Sequence, residues 1–87
     1  MSPARYNYLV PTVLRVRGFR FFFFSNEASE PVHVHVESDD NYAKFWLEPV
    51  RLAKSVGYSA RELNEIGKLV VENVGAFKRR WDEHFGY

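Results

Sequence analysis

The chain has three histidines, and two of them, His33 and His35, stand one residue apart in the stretch "PVHVHVE" from Pro31 to Glu37. On an extended strand alternate side chains share a face, so the two imidazoles would sit roughly 7 Å apart on one side. Two chemistries suit that spacing. In the first, both rings bind one divalent transition metal with a carboxylate as third ligand, Glu37 foremost, or else Asp39, Asp40 or Glu27. In the second, one histidine acts as base and the other as acid across a phosphodiester, while Arg20 or Lys44 steadies the charge of the transition state. RNA needs no metal under that scheme, because its own 2′-hydroxyl is the nucleophile. Against both stands a structural role, since an H-x-H pair alone is a weak motif and histidine suits a half-exposed strand position. No third residue is fixed by spacing, so whether the protein is an enzyme stays open on these residues. His84, three residues before the end, reads as a cation favoured by a helix C-terminus. The sequence has no P-loop, Rossmann glycine pattern, nucleophile elbow or zinc-finger spacing.

The frame that must position these residues is small. Eighty-seven residues, 46% hydrophobic and 17% aromatic, suffice for one core and exclude a second domain. There is no cysteine, which removes disulfides, thiolate metal sites and cysteine nucleophiles and fits a reducing compartment. The longest apolar run, around "FRFFFF", is too short to cross a bilayer, and the first residues lack the apolar stretch of a signal peptide. The expectation is a cytoplasmic protein with no membrane partner. The formal net charge of +1 is unevenly spread. Arg5, Arg15, Arg17 and Arg20 lie in a stretch without an acid, whereas Phe21 to Glu48 sets Lys44 against Glu27, Glu30, Glu37, Asp39, Asp40 and Glu48.

Residues 1–10 show no period and read as an N-terminal extension, with a single α+β domain over 11–87. "PTVLRVRGFRFFFF" gives two β-rich runs, Thr12 to Arg17 and Phe19 to Phe24, turned at Gly18. "SNEASEP" is a loop. "VHVHVE" alternates with period 2 as strand three, "SDDN" turns the chain, and "YAKFWLE" is strand four, stopped by Pro49. Val50 to Leu52 has room to add a short fifth strand at an edge. Ser59 and Glu62 form an S-x-x-E capping box, and Tyr58 is placed to staple onto Leu63. From there Leu63, Ile66, Val70, Val74, Phe77, Trp81 and Phe85 keep helical spacing. The fold expected is therefore an antiparallel four-stranded sheet, extensible to five, with a C-terminal helix or helix pair on one face. The pair would arise from a break near Asn73 to Gly75, where glycine weakens the helix by about 1 kcal/mol.

Alternation then assigns faces. Val32, Val34 and Val36 lie on one side of strand three, and His33, His35 and Glu37 on the other. One helical layer covers one face, so the valines go beneath it and the histidines onto the opposite, uncovered face. With Phe21 and Phe23 inward, that outer face collects Arg15, Arg17, Arg20, Phe22, Phe24, Tyr42, Lys44 and Trp46. So aromatic a surface predicts a contact site: a homodimer or a small cognate protein first, with RNA stacked on the rings as the alternative.

The segments "PTVLRVRGFRFFFFSNEASEPVHVHVE" and "AKFWLEPVRLAKSVGYSARELNEIGKLVVEN" closely resemble the family called domain of unknown function 4160. Its recurring features map onto Pro11 to Arg15, Arg20 to Glu27, Pro31 to Val36 and Ala43 to Leu52. The resemblance implies a small bacterial or archaeal protein often encoded beside another small protein, an arrangement similar to toxin–antitoxin modules. Family members commonly begin "MPTVL" where this chain reads "VPTVL". Val10 is accordingly expected to mark a GTG start codon, with residues 1–9 an over-called start or a genuine extension.

Overall fold

The computed structural model describes residues 12–24 and 29–86. The expected extension over 1–10, the Val10 start and Glu27 lie outside the described residues. Five strands precede one helix: β1 Thr12–Val16, β2 Phe19–Phe22, β3 His33–Ser38, β4 Asn41–Leu47, β5 Val50–Val56 and α1 Ala60–Phe85. Neighbours in sequence are neighbours in space, and every pair is antiparallel, giving a meander in the order β1-β2-β3-β4-β5. The architecture is α+β, as the hydrophobic periods require.

Turn chemistry sets the register. Arg17 (φ 53°) and Gly18 (φ 84°) make a two-residue turn with both central residues at positive φ, the geometry that matches the twist of a hairpin. Arg17 therefore leaves the strand to which alternation assigned it and forms an ion pair with Glu65 of α1 at 3.4 Å. Asp39, also at positive φ (52°), turns β3 into β4. Pro49 does not end the sheet. The chain turns at Glu48–Pro49 and β5 continues to Val56, beyond the expected Leu52, with a bulge at Ala53 where Lys44 and Phe45 face Lys54 and Leu52.

Helix α1 starts at the capping box: Glu62 N–H donates to Ser59 Oγ at 3.1 Å and Ser59 N–H donates to Glu62 Oε1 at 2.9 Å. The helix does not break near Gly75, and the reason is a comparison of magnitudes. Phe77 packs on Phe21 with ring centroids 5.3 Å apart, and Trp81 packs on Phe23 at 5.4 Å. Each such burial contributes roughly 1.5–3 kcal/mol, more than the ~1 kcal/mol that one helical glycine costs. The helix ends at Gly86 (φ 80°), whose N–H donates to Asp82 O at 3.0 Å.

The core lies between α1 and one sheet face. Phe19, Phe21, Phe23, Val34, Val36, Ala43, Phe45 and Leu47 meet Ile66, Leu69, Val70, Phe77 and Trp81 there. Tyr58 is buried with them, its ring 6.0 Å from Phe19 and its hydroxyl hydrogen-bonded to Ser38 Oγ at 2.9 Å.

Two glycines should respond oppositely to alanine. Gly57 sits at φ 90° just before the cap, and a Cβ there would run into the Asn41 side-chain oxygen. Gly57→Ala is expected to lower unfolding free energy by about 1–3 kcal/mol. Gly75 is exposed, with nothing within 4 Å of an added Cβ. Gly75→Ala should raise it by about 1 kcal/mol, and urea denaturation of both variants reads the two signs. Burial raises the Tyr58 hydroxyl above its ordinary value of 10.0; the Ser38 bond opposes this, while Glu62, Glu37 and Asp39 add to it. The unfolded phenol therefore ionises first, so this group's stabilisation is complete below about pH 10 and is lost as pH rises from there. Urea midpoints measured from about pH 9 to about pH 11 should fall more steeply for the wild type than for Tyr58→Phe.

Candidate functional site

Strand register brings the singled-out residues together as alternation required. His33 pairs with Trp46; His35 lies between Phe22 and Lys44; Glu37 lies between Arg20 and Tyr42. Arg15 pairs with Arg20 on β1 and is exposed. The histidines are on the sheet face opposite Val34 and Val36.

That face is not open. His33 is 0% exposed and His35 2%, and Phe22 is also buried. The expectation of an uncovered histidine surface is corrected here, and the cause is ring size. Side chains directly across neighbouring strands stand about 5 Å apart, so aromatic rings at those positions close over a smaller imidazole. His35 is stacked between Phe22 at 5.3 Å and Tyr42 at 5.7 Å, with the edges of Phe24 at 4.6 Å and His33 at 4.9 Å completing the box. His33 meets Trp46 at 5.7 Å and Trp81 at 5.0 Å. Trp81 comes from the end of the helix, a neighbour that strand alternation has no means to reveal.

The polar atoms of the cluster are matched. His33 Nδ1–H donates to Pro31 O at 2.8 Å, and His35 Nδ1 shares a 2.6 Å hydrogen bond with Tyr42 Oη. The two candidate charge stabilisers are engaged as well. Arg20 donates to Glu37 Oε2 and to Thr12 Oγ1, each at 2.7 Å, and lies over the Phe22 ring at 4.6 Å. Lys44 donates to Glu30 Oε1 at 2.7 Å and lies over Trp46 at 4.5 Å. Cations thus occupy ring faces on which a base would stack, while Phe24 keeps 36% exposure.

For the metal reading, Glu37 is turned to Arg20, and among the described residues no three His, Asp or Glu side chains converge to hold an ion. For the acid–base reading, the imidazoles lie close together but are 0% and 2% exposed, so a phosphodiester does not reach them in this packing. His84 packs against Phe23 and Phe85, away from the pair, with its Nε2 buried and unbonded. Arg17 belongs to the helix side of the molecule.

One surface escaped the sequence reading. Between β5 and the first half of α1 runs a groove of about 690 Å³, floored by Phe45 and Gly67 and walled by Val50, Leu52, Leu63 and Val71. Leu52 is 41% exposed, Val56 53% and Val71 58%. The strand was legible only as far as Leu52, because the bulge at Ala53 interrupts its alternation.

Fold and site together define a class: a five-stranded antiparallel meander under one helix, with an aromatic–histidine cluster sealed on its second face. The chain belongs to the family described as a domain of unknown function (DUF4160), whose model matches residues 18–82, well over half of its length. No curated protein and no solved structure matches the chain. Among the described residues no helix is long and apolar enough to cross a membrane.

The 2.6 Å bond makes Tyr42→Phe a direct probe of the cluster. It is expected to destabilise the fold by about 1–3 kcal/mol, because it removes the phenol partner of a buried imidazole. Chemical denaturation checks this, and an unchanged midpoint would show that the Tyr42–His35 bond contributes no net stability.

Proposed function

We propose that the protein is a cytoplasmic interaction module, one member of a small two-protein arrangement of the toxin–antitoxin kind. The observation that carries this reading is where apolar surface is left. Of the four large hydrophobic side chains exposed among the described residues, Phe24 lies beside the histidine cluster, while the three more exposed ones are Leu52 and Val56 on the edge strand β5 and Val71 on the helix beside it. An apolar set gathered at one edge is the usual mark of a contact site. On the face expected from the sequence to make the contact, Phe22 is buried and Tyr42 and Trp46 are half-buried, so the β5 edge offers the more exposed apolar side chains.

The competing reading is a metal-independent ribonuclease using His33 and His35 with Arg20 or Lys44. It is favoured by the 4.9 Å separation of the two rings and opposed by their burial. Two measurements decide between them. Co-expression with each flanking open reading frame, followed by light scattering, should yield a stable complex with one of the two products; free species in both cases would remove the interaction reading. RNA incubated with the protein in chelator should stay intact. Cleavage that disappears in both His33→Ala and His35→Ala, with the fold retained, would replace the module by an enzyme.

A further inference from the structure

The interaction reading leaves open how a partner is held and what its chemistry is, and the β5 edge bears on both. β5 is outermost in the sheet, and six of its seven residues are exposed. An outermost strand presents a row of backbone N–H and C=O groups without a ladder partner, the template on which an added strand forms. Directly beside that row is the apolar groove. Its floor is low because Gly67 has no side chain; a Cβ there would sit 3.9 Å from the Phe45 ring. A strand added along β5 would direct alternate side chains into the groove, over Phe45 and Gly67 and between Leu52 and Val71.

Charge selects the occupant. β5 carries Arg51 and Lys54 and no acid, and Lys68 stands on the helix rim. None of these three cations has an ion-pair partner among the described residues, in contrast to Arg17, Arg20, Lys44 and Lys78, which each hold a carboxylate. Glu72, one helical turn after Lys68, is the one acid on the groove, and it leaves the rim net positive. A second copy of this chain fits poorly. Two β5 strands side by side would bring together four cations and no carboxylate, and like charges set across a strand pair are destabilising.

Resting on the interaction reading, we propose that β5 and its groove take up an extended segment of another protein by strand addition, and that this segment alternates apolar residues with aspartate or glutamate. The apolar side chains fill the groove, and the carboxylates, on the other face of the added strand, meet Arg51 and Lys54, whose pairing with Trp46 and Lys44 places them on that face. Complementary charge at the rim then sets partner choice, and the groove supplies the buried anchors.

The experiment is a selection from displayed random decapeptides on the full chain, followed by titration of an enriched peptide into isotope-labelled protein. Enriched sequences should alternate apolar and acidic residues, and the amides of residues 50–56 and 63–71 should shift on binding. Leu52→Asp and Val71→Glu, each at an exposed position and each checked for a wild-type melting curve, should weaken binding by about tenfold or more. Lys54→Glu, exposed and outside the groove lining, should shift the selection toward basic peptides. Enrichment of basic peptides, no enrichment, or binding that survives both groove variants would overturn the proposal. So would a dimer of the free chain that Leu52→Asp dissociates, which would assign the edge to a second copy. A flanking-gene product that still binds Leu52→Asp would remove the β5 site and leave the interaction reading standing.

Discussion

A strand that alternates valine with histidine needs two covers of different kinds, and β3, at the centre of the sheet, has both. Val34 and Val36 are fully buried under α1, where aliphatic and phenylalanine side chains exclude water. His33 and His35 project the other way, into a shell of rings that buries them equally well while Pro31 O and Tyr42 Oη satisfy their Nδ1 atoms. A buried imidazole without partners would cost more than its burial returns. The rest of the second face follows from that requirement: Phe22 and Tyr42 must flank His35, Trp46 must flank His33, and Arg20 and Lys44 must find carboxylates above the rings.

Helix length joins the two layers. Twenty-six residues at 1.5 Å make α1 about 39 Å long. The longest dimension of the molecule is 38 Å, so the helix sets it. Its first half rests on β4 and β5, and its second half runs past Phe21 and Phe23. Only at its far end does it reach the histidine cluster, where Trp81 touches both Phe23 and His33. Lys78 adds an ion pair with Glu48 at the β4–β5 turn. One element therefore seals the main core and part of the second face.

The same geometry explains why apolar surface is left at β5. Five strands about 4.8 Å apart make a sheet about 19 Å wide, whereas a helix with its side chains is about 10–12 Å across. A single helix cannot cover that width. Although the first half of α1 rests on β4 and β5, it does not close over the edge strand, and Leu52 and Val71 beside the Phe45 ring stay exposed. A shared family does not supply the partner, because function resides in such local surfaces and not in the fold.

The elements themselves were written locally: the period-2 run through β3, the glycine turn at Gly18, the capping box at Ser59 and Glu62, and the apolar helical stripe each specify their own structure within a few residues. Side-chain facing was equally local, since alternation alone puts His33 and His35 opposite Val34 and Val36 and gathers Phe22, Tyr42 and Trp46 beside them. Two things depended on contacts between distant segments. Phe77 and Trp81 carried the helix through Gly75, and the rings closed over the imidazoles with Trp81 added from α1. Sequence determines which side of a strand a residue faces, because that follows from backbone pleating. Whether that side is open to water is decided only when the other elements have packed, because burial depends on what arrives from elsewhere in the fold.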